Sequence, residues 1–230
     1  SDGIFSSTKS ILFNKEIKPQ YSKSLAIRGI LNKRYLNNIN KSNISLFLGP
    51  NLHYVIYPLN NSDDFNFIGI VKKKLNKEDL NNRALFEDKN FKSLIISELS
   101  HKIDKNILDN LKNIKCFPTF MSNRIYEPKQ KKIFLLGDAF YTLTPTFAQG
   151  ASQSIEAAYD LYEMLDNNES EFIKKRLKRI KMISKRSKFN YFAFHLSNSL
   201  MVFARDILIK YFVKNDKFLN NYLGKIYKDR

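Results

Sequence analysis

The stretch that most constrains the fold runs from Ile133 to Leu165. Ile133-Phe134-Leu135-Leu136 is an unbroken apolar run that stops at Gly137-Asp138, and a strand buried on both faces reads this way. A loop containing Pro145 follows, and Gln149-Gly150 opens a helix that reaches about Leu165. In open α/β sheets, ligands sit at the carboxyl ends of strands. A glycine there lets the backbone approach a ligand closely. A helix start offers unpaired N–H groups and the positive end of the helix dipole. The unit therefore suits an anionic or electron-rich cofactor, although an ordinary strand–loop–helix with a glycine at the cap satisfies the same pattern. Within the helix, Ala151, Ile155, Ala158, Tyr162 and Leu165 recur at helical spacing and form the expected apolar face. Glu156, Asp160 and Glu163 lie away from it.

The part before this unit reads differently. Residues 24–31, Ile44–Leu48, Leu52–Leu59 and Phe65–Lys72 are short β-rich runs, with turn residues at Gly49-Pro50-Asn51 and at Asn60–Asp64. Such spacing predicts an antiparallel sheet. Residues 92–114 place Leu94, Ile95, Leu99, Ile103, Ile107 and Leu111 at helical spacing, which predicts one helix. After Asn167-Asn168, residues 170–188 and 189–213 read as two more helices. The fold class expected is a mixture of α/β and α+β character, an antiparallel sheet with carboxyl-terminal helices. The segments expected are 1–17, 18–118, 119–166 and 167–230.

Composition narrows the functional classes. Hydrophobic residues make up 43% of the chain, which fits a globular core. No apolar run approaches a bilayer span, and Ser1–Ser10 lacks a secretion-signal pattern. The single cysteine, Cys116, has no internal disulfide partner, so a reducing, cytoplasmic setting is expected. The formal charge is +17, but the lysines are spread along the chain among Asn and Ile. That is a solvated surface rather than a nucleic-acid stripe. The one concentrated basic stretch is Lys174–Lys188, followed by the Phe-, Leu- and Ile-rich stretch 189–212. A basic helix beside an apolar one gives peripheral membrane contact through residues 170–213 as one reading. Packing of the apolar face on the cofactor-binding domain, with the basic face solvated, is the favoured one.

Gly137, Asp138, Ala139, Pro145, Gln149, Gly150 and Glu156 together resemble the second FAD fingerprint of the p-hydroxybenzoate-hydroxylase-like and salicylate-hydroxylase-like flavin monooxygenases. Three positions depart from the pattern. Tyr141 stands where His is usual, Ala148 replaces the first Gly of Gly-Gln-Gly, and Ala157 replaces an Asp. The resemblance implies that Asp138 meets the ribityl chain of FAD and that the Pro145 loop runs beside the isoalloxazine. It further implies that the amides of Ala151 and Ser152 face the pyrimidine end of the ring. Ser1-Asp2-Gly3-Ile4-Phe5-Ser6-Ser7-Thr8-Lys9 resembles the family's Asp-Gly motif near the FAD pyrophosphate, with Lys9 where Arg is usual. His53–Leu59 followed by Asn66-Phe67-Ile68 resembles a strand of the sheet that roofs the substrate, and alternation puts His53, Val55, Tyr57 and Leu59 on one face.

What the resemblance implies for a complete enzyme is hydroxylation of a small aromatic substrate. NADH or NADPH would reduce FAD, and O2 would supply the oxygen atom. Pro145, Phe147 and Tyr57 are candidate pocket walls, and Arg28 is a candidate partner for a substrate carboxylate or for a surface ion pair. No Gly-x-Gly-x-x-Gly occurs in the sequence, so the chain reads as a carboxyl-terminal part without the pyrophosphate loop. A non-catalytic remnant of the family and a basic membrane-associated binding protein are the rival readings. His53, His101 and His195 are scattered, and no Cys/His spacing suggests a metal site. No Gly-x-Ser-x-Gly elbow or phosphate-binding Gly-rich loop is present.

Overall fold

The computed structural model describes residues 2–37, 39–40, 42–59, 63–126, 133–164 and 169–227, with the backbone alone at Glu169 and Ser170. In chain order the elements are α1 (Ser7–Leu12), β1 (Gln20–Asn32), β2 (Ser45–Gly49), β3 (Leu52–Pro58), β4 (Asp64–Lys72), α2 (Lys77–Asn81), α3 (Arg83–Glu87), α4 (Lys89–Leu99) and α5 (Lys105–Asp109). They continue with β5 (Lys112–Met121), α6 (Gly137–Phe140), α7 (Gln149–Met164), α8 (Glu169–Phe194), α9 (Ser199–Phe212), α10 (Asp216–Leu219) and α11 (Lys225–Tyr227). The chain divides into a sheet unit, Lys23–Thr119 with Phe194–Ser199, and a helical unit, Ser1–Ser22 with Phe120–Ala193 and Leu200–Arg230.

The sheet unit is built on five strands in the order β2-β3-β4-β1-β5. The expected antiparallel pairings hold, with Leu25 opposite Val71 and Val55 opposite Ile68. One face carries Leu25, Ile27, Leu31, Leu52, Ile56 and Phe67 into a core with Ile95, Leu99 and Ile107 of α4 and α5. Gly29 sits under Leu111, and a Cβ at that position would lie 2.5 Å from Leu111 Cγ. The other face carries His53, Val55 and Tyr57, as alternation requires. Residues 92–114 do not form one helix. α4 ends at Leu99, Asp104 caps α5 by accepting from the Asn106 amide at 2.8 Å, and Lys112 already begins β5. A capping aspartate inside an apolar helical pattern marks a boundary that the periodicity hides. β5 contains Pro118, which its place at the end of the strand order tolerates.

At the far end of the sheet's second face, two histidines are buried together. His53 Nδ1 lies 3.2 Å from His195 Nε2, which is also 3.2 Å from the Ile70 carbonyl. A carbonyl only accepts, so with neutral rings the His195 Nε2–H serves both acceptors. Burial, and then the His195 charge, push the His53 pKa down to about 3. The Cys116 thiol is pushed up to about 11 by burial, so it is an unreactive core group.

The helical unit departs most from the sequence reading. Residues 133–136 form no strand, because no described strand lies beside them to complete a ladder. The expected apolar face of α7 points outward, with Ile155 72% and Tyr162 75% exposed. Gln149, Gln153, Ala157 and Asp160 are buried instead. Leu165, like Ser1, Asn60–Ser62 and Asn167-Asn168, lies outside the described residues. α8 runs unbroken through Lys188-Phe189, and the break falls at residues 195–198. Nothing at Lys188-Phe189 stops a helix, whereas His195-Leu196-Ser197-Asn198 ends in two residues that favour helix starts over interiors.

Candidate cofactor site

Gly137 makes the site's first turn. Its φ is +55°, and a Cβ there would meet Ser154 Oγ at 2.4 Å, so the turn closes directly against α7. Leu136 enters extended, and Gly137–Phe140 coil into a single helical turn that buries Ala139 and Phe140 and leaves Asp138 at the surface. The loop that follows is pinned at its entry. The Ser122 amide donates to the Thr142 carbonyl at 3.1 Å, and the Thr142 amide donates to Ser122 Oγ at 2.9 Å.

Around Pro145 the loop is laced to α8. Tyr141 hydroxyl and Ser184 Oγ are 2.7 Å apart, and Thr144 Oγ1 and Ser187 Oγ are 2.8 Å apart. Ser187 Oγ donates to the Thr144 carbonyl at 2.9 Å, while Thr146 Oγ1 donates to the Ser187 carbonyl at 3.1 Å. Pro145 is exposed at the crest of this loop, and Phe147 is buried with its ring 6.2 Å from Tyr222. Tyr141, at the position of the family's His, is thus a brace between loop and helix.

The loop delivers Ala148 in the left-handed region, at φ +52°. That explains the glycine of the resembled motif at this position, since only glycine adopts such a φ without strain. Ala148 also has no side-chain acceptor with which to cap α7. Gly150, Ala151 and Ser152, in the first turn, are exposed, while the Gln149 side chain turns inward to accept from Gln153 Nε2 at 3.0 Å. Among the described residues nothing caps the start of this 16-residue helix, whose exposed first turn follows the Pro145 loop.

The other motif joins this one electrostatically. Asp2 accepts from Ser6 Oγ at 2.5 Å, from the Thr8 amide at 2.9 Å and from Thr8 Oγ1 at 3.1 Å, so its carboxylate organises the start of α1 and is held well below the usual range. Gly3, at φ +74°, makes the turn between them. Lys9 is buried; burial pulls its pKa down, and the charges of Asp138 and then Asp2 push it back up. Although the Asp138 residue reaches solvent, its carboxyl is crowded enough by protein for partial burial to raise its pKa, and Lys9 opposes the rise. Asp2, Lys9 and Asp138 thus share one local field, and Lys9 is the member that the sequence reading did not single out. Its signal was the Lys at the motif's Arg position.

Behind the turn lies a second group that the sequence did not reveal. The Arg176 side chain is only 4% exposed and donates to Glu156 at 2.8 Å, to Asp160 at 3.2 Å and to Gln153 Oε1 at 2.9 Å. Burial would raise the Glu156 pKa, but the Arg179 hydrogen bond and the charges of Arg179 and Arg176 outweigh it and hold the carboxyl low. Arg176 Nε is the one buried side-chain atom without a partner among the described residues. Arg176 lines a gap of about 20 Å³ with Gly137, Asp138 and Gln153, room for about one water.

Tyr57 and Arg28 belong to the sheet unit. Val55, Ile68 and Arg28 form one cross-strand row, and Tyr57, Asn66 and Ile30 the next, so the two candidates share a face. Asn66 Nδ2 donates to the Tyr57 hydroxyl, and Arg28 is exposed with no ion pair among the described residues.

No family model and no curated protein matches the sequence. Solved structures do match. HpxO from Klebsiella pneumoniae, in complex with FAD and uric acid, superposes with a TM-score of 0.75 at 15% identity, over 98% of this chain and 58% of that one. A salicylate hydroxylase in a substrate complex gives 0.70 at 16% identity, over 99% and 63%. The 2,6-dihydroxypyridine-3-hydroxylase from Arthrobacter nicotinovorans gives 0.71 at 15%, over 85% and 56%. The chain therefore has the fold of part of the FAD-dependent aromatic hydroxylases. It spans under two thirds of the length of these structures.

Proposed function

We propose that this chain is the carboxyl-terminal part of an FAD-dependent monooxygenase that hydroxylates a small aromatic substrate with NADH or NADPH and O2. The observation that carries the reading is the exposed start of α7 beside the braced Pro145 loop, in a fold that flavoprotein hydroxylases share.

The residues fit FAD on their own chemistry. Gly137 keeps the turn tight, the surface carboxyl of Asp138 is a hydrogen-bond acceptor for a polyol, and the amides of Gly150, Ala151 and Ser152 suit the electron-rich end of a flavin. When bound, the flavin supplies the redox chemistry. The chain's own part is positional. Asp138 would orient the ribityl chain, with Lys9 opposing the rise that burial gives its carboxyl. Ala139 packs the turn from below, and Asp2 with Gly3 shapes the segment that carries Lys9. Pro145 would set the distance of the loop from the ring and Phe147 would exclude water on that loop's side, while Tyr57 is the sheet unit's own candidate contact for an aromatic substrate. Arg28, exposed on its sheet face and without an ion pair among the described residues, is the candidate partner for a substrate carboxylate.

Two measurements test this. The 230-residue chain alone, without a Gly-rich pyrophosphate loop, should bind FAD weakly in a fluorescence titration. The chain joined to a nucleotide-binding unit encoded in frame upstream should purify yellow and consume NADH or NADPH with small aromatics, and Asp138→Ala should lower its flavin content. A joined protein that stays colourless in excess FAD would contradict the proposal. The remnant reading predicts flavin binding without turnover.

A further inference from the structure

α8 carries a line of lysines. Lys174, Lys178, Lys181, Lys185 and Lys188 step by four and three residues along one side of the helix, and all are exposed. Phe192 continues the same line and Phe189 lies beside it, both exposed. From Phe172 to Arg205 the chain contains no Asp or Glu. After the break at 195–198, α9 shows a second exposed line, Leu200, Phe203, Ile207, Leu208 and Tyr211, with Leu200 77% and Phe203 67% exposed. α9 is held by its opposite side. Arg205 is buried, pairs with Asp206 at 2.8 Å and donates to the Ala193 carbonyl at 3.2 Å. Phe212 stacks on Phe218 at 4.3 Å, Phe218 on Tyr222 at 5.3 Å, and the Tyr222 hydroxyl donates to Asn190 of α8 at 2.7 Å.

We propose that the outer faces of α8 and α9 form a peripheral docking surface for an anionic lipid bilayer. The lysine line meets the headgroups, and the apolar line of α9 enters the headgroup–acyl boundary lengthwise. Two features select lipid over a second copy of the chain. The lysine line would face its own charge across a self-interface, and it contains no carboxylate to pair with. A cationic line that ends in exposed Phe189 and Phe192, followed after the break by the exposed apolar line of α9, is what an interfacial surface needs, since charge draws it to the membrane and apolar area holds it there. No helix among the described residues is long and apolar enough to cross the bilayer. This surface stands apart from the cofactor reading and does not depend on it.

The test is flotation of the 230-residue chain with phosphatidylglycerol-containing vesicles and with phosphatidylcholine alone. Binding to the first at low salt, weakened by added salt and absent from the second, is expected. Lys178→Glu with Lys185→Glu should weaken binding about tenfold or more, and Phe203→Ser with Ile207→Ser should do the same without lowering the melting temperature. Lys112→Glu with Lys115→Glu, exposed positions on β5 that change net charge equally, should leave most of the binding. The proposal is overturned if the chain stays in the soluble fraction, if the β5 pair weakens binding as much as the α8 pair, or if the Phe203/Ile207 variant binds as well as the parent. It also fails if light scattering shows a dimer that this variant dissociates and no vesicle binding is seen.

Discussion

In the sheet unit the side chains that leave solvent are Leu25, Ile27, Phe67, Ile95 and Leu99. In the helical unit, the side chains that leave it between α7 and α8 include Gln153, Asp160 and Arg176, while Ile155, Tyr159 and Tyr162 stay out. The first unit buries oil and shows polar groups. The second also buries an apolar cluster around Leu135, Phe140, Leu177 and Ile180, but between α7 and α8 it buries a charge network, and it shows oil along α7 and α9. The same sequence rule, that an apolar stripe marks the inner face, succeeds in one and inverts in the other. It works where a stripe's partner lies in the same unit, as α4 and α5 do for the sheet. It inverts at α7, whose stripe stays exposed in a chain that spans under two thirds of the structures it matches.

The largest expected effect breaks or keeps that contrast directly. Arg176→Ala should cost about 3–5 kcal/mol in a denaturant titration, because Asp160, Glu156 and Gln153 would lose the buried cation they share, with only Lys175 and Arg179 left beside the two carboxylates. A loss under about 1 kcal/mol would show that the network is solvated after all. Ile95→Ala should cost about 2–5 kcal/mol, whereas Ile155→Ala, one turn-face of α7, should stay within about 0.5 kcal/mol. Equal losses at the two isoleucines would mean that α7 buries its apolar stripe.

Acid should act on the sheet unit through His53. Its folded pKa is about 3 and its ordinary value is 6.5, so the unfolded chain binds the proton first. The stability contributed is full above pH 6.5 and is lost as pH falls toward 3, about 2 kcal/mol of it by pH 5. Melting curves at both ends of that range check it, and His53→Phe should flatten the dependence. The smallest effect is at the loop. Ala148→Gly should stabilise the chain by about 1 kcal/mol by relieving the +52° φ, and an unchanged melting temperature would show that Ala148 carries no strain.

Much of the sheet was legible because β-rich runs alternate and are separated by turn residues, and β1 to β4 fall where those runs do. β5 was not, since Lys112–Met121 holds Pro118 and follows an apolar helical pattern without interruption. At the site, Gly137, Ala148 and the start of α7 could be placed from their motif, and the structure supplies the reasons in φ angles and close approach. The braces Ser184 and Ser187 and the buried Arg176 could not. They sit in a helix that reads as basic and solvated, and only the fold reveals which of its cations turns inward.

The central claim, that these residues belong to a flavin-dependent hydroxylase, is tested most directly by reading the coding sequence upstream of Ser1. The account predicts an in-frame strand–Gly-x-Gly-x-x-Gly–helix, which would complete the cofactor site. A start codon with no such unit before it, and no separate subunit that supplies one, would contradict it.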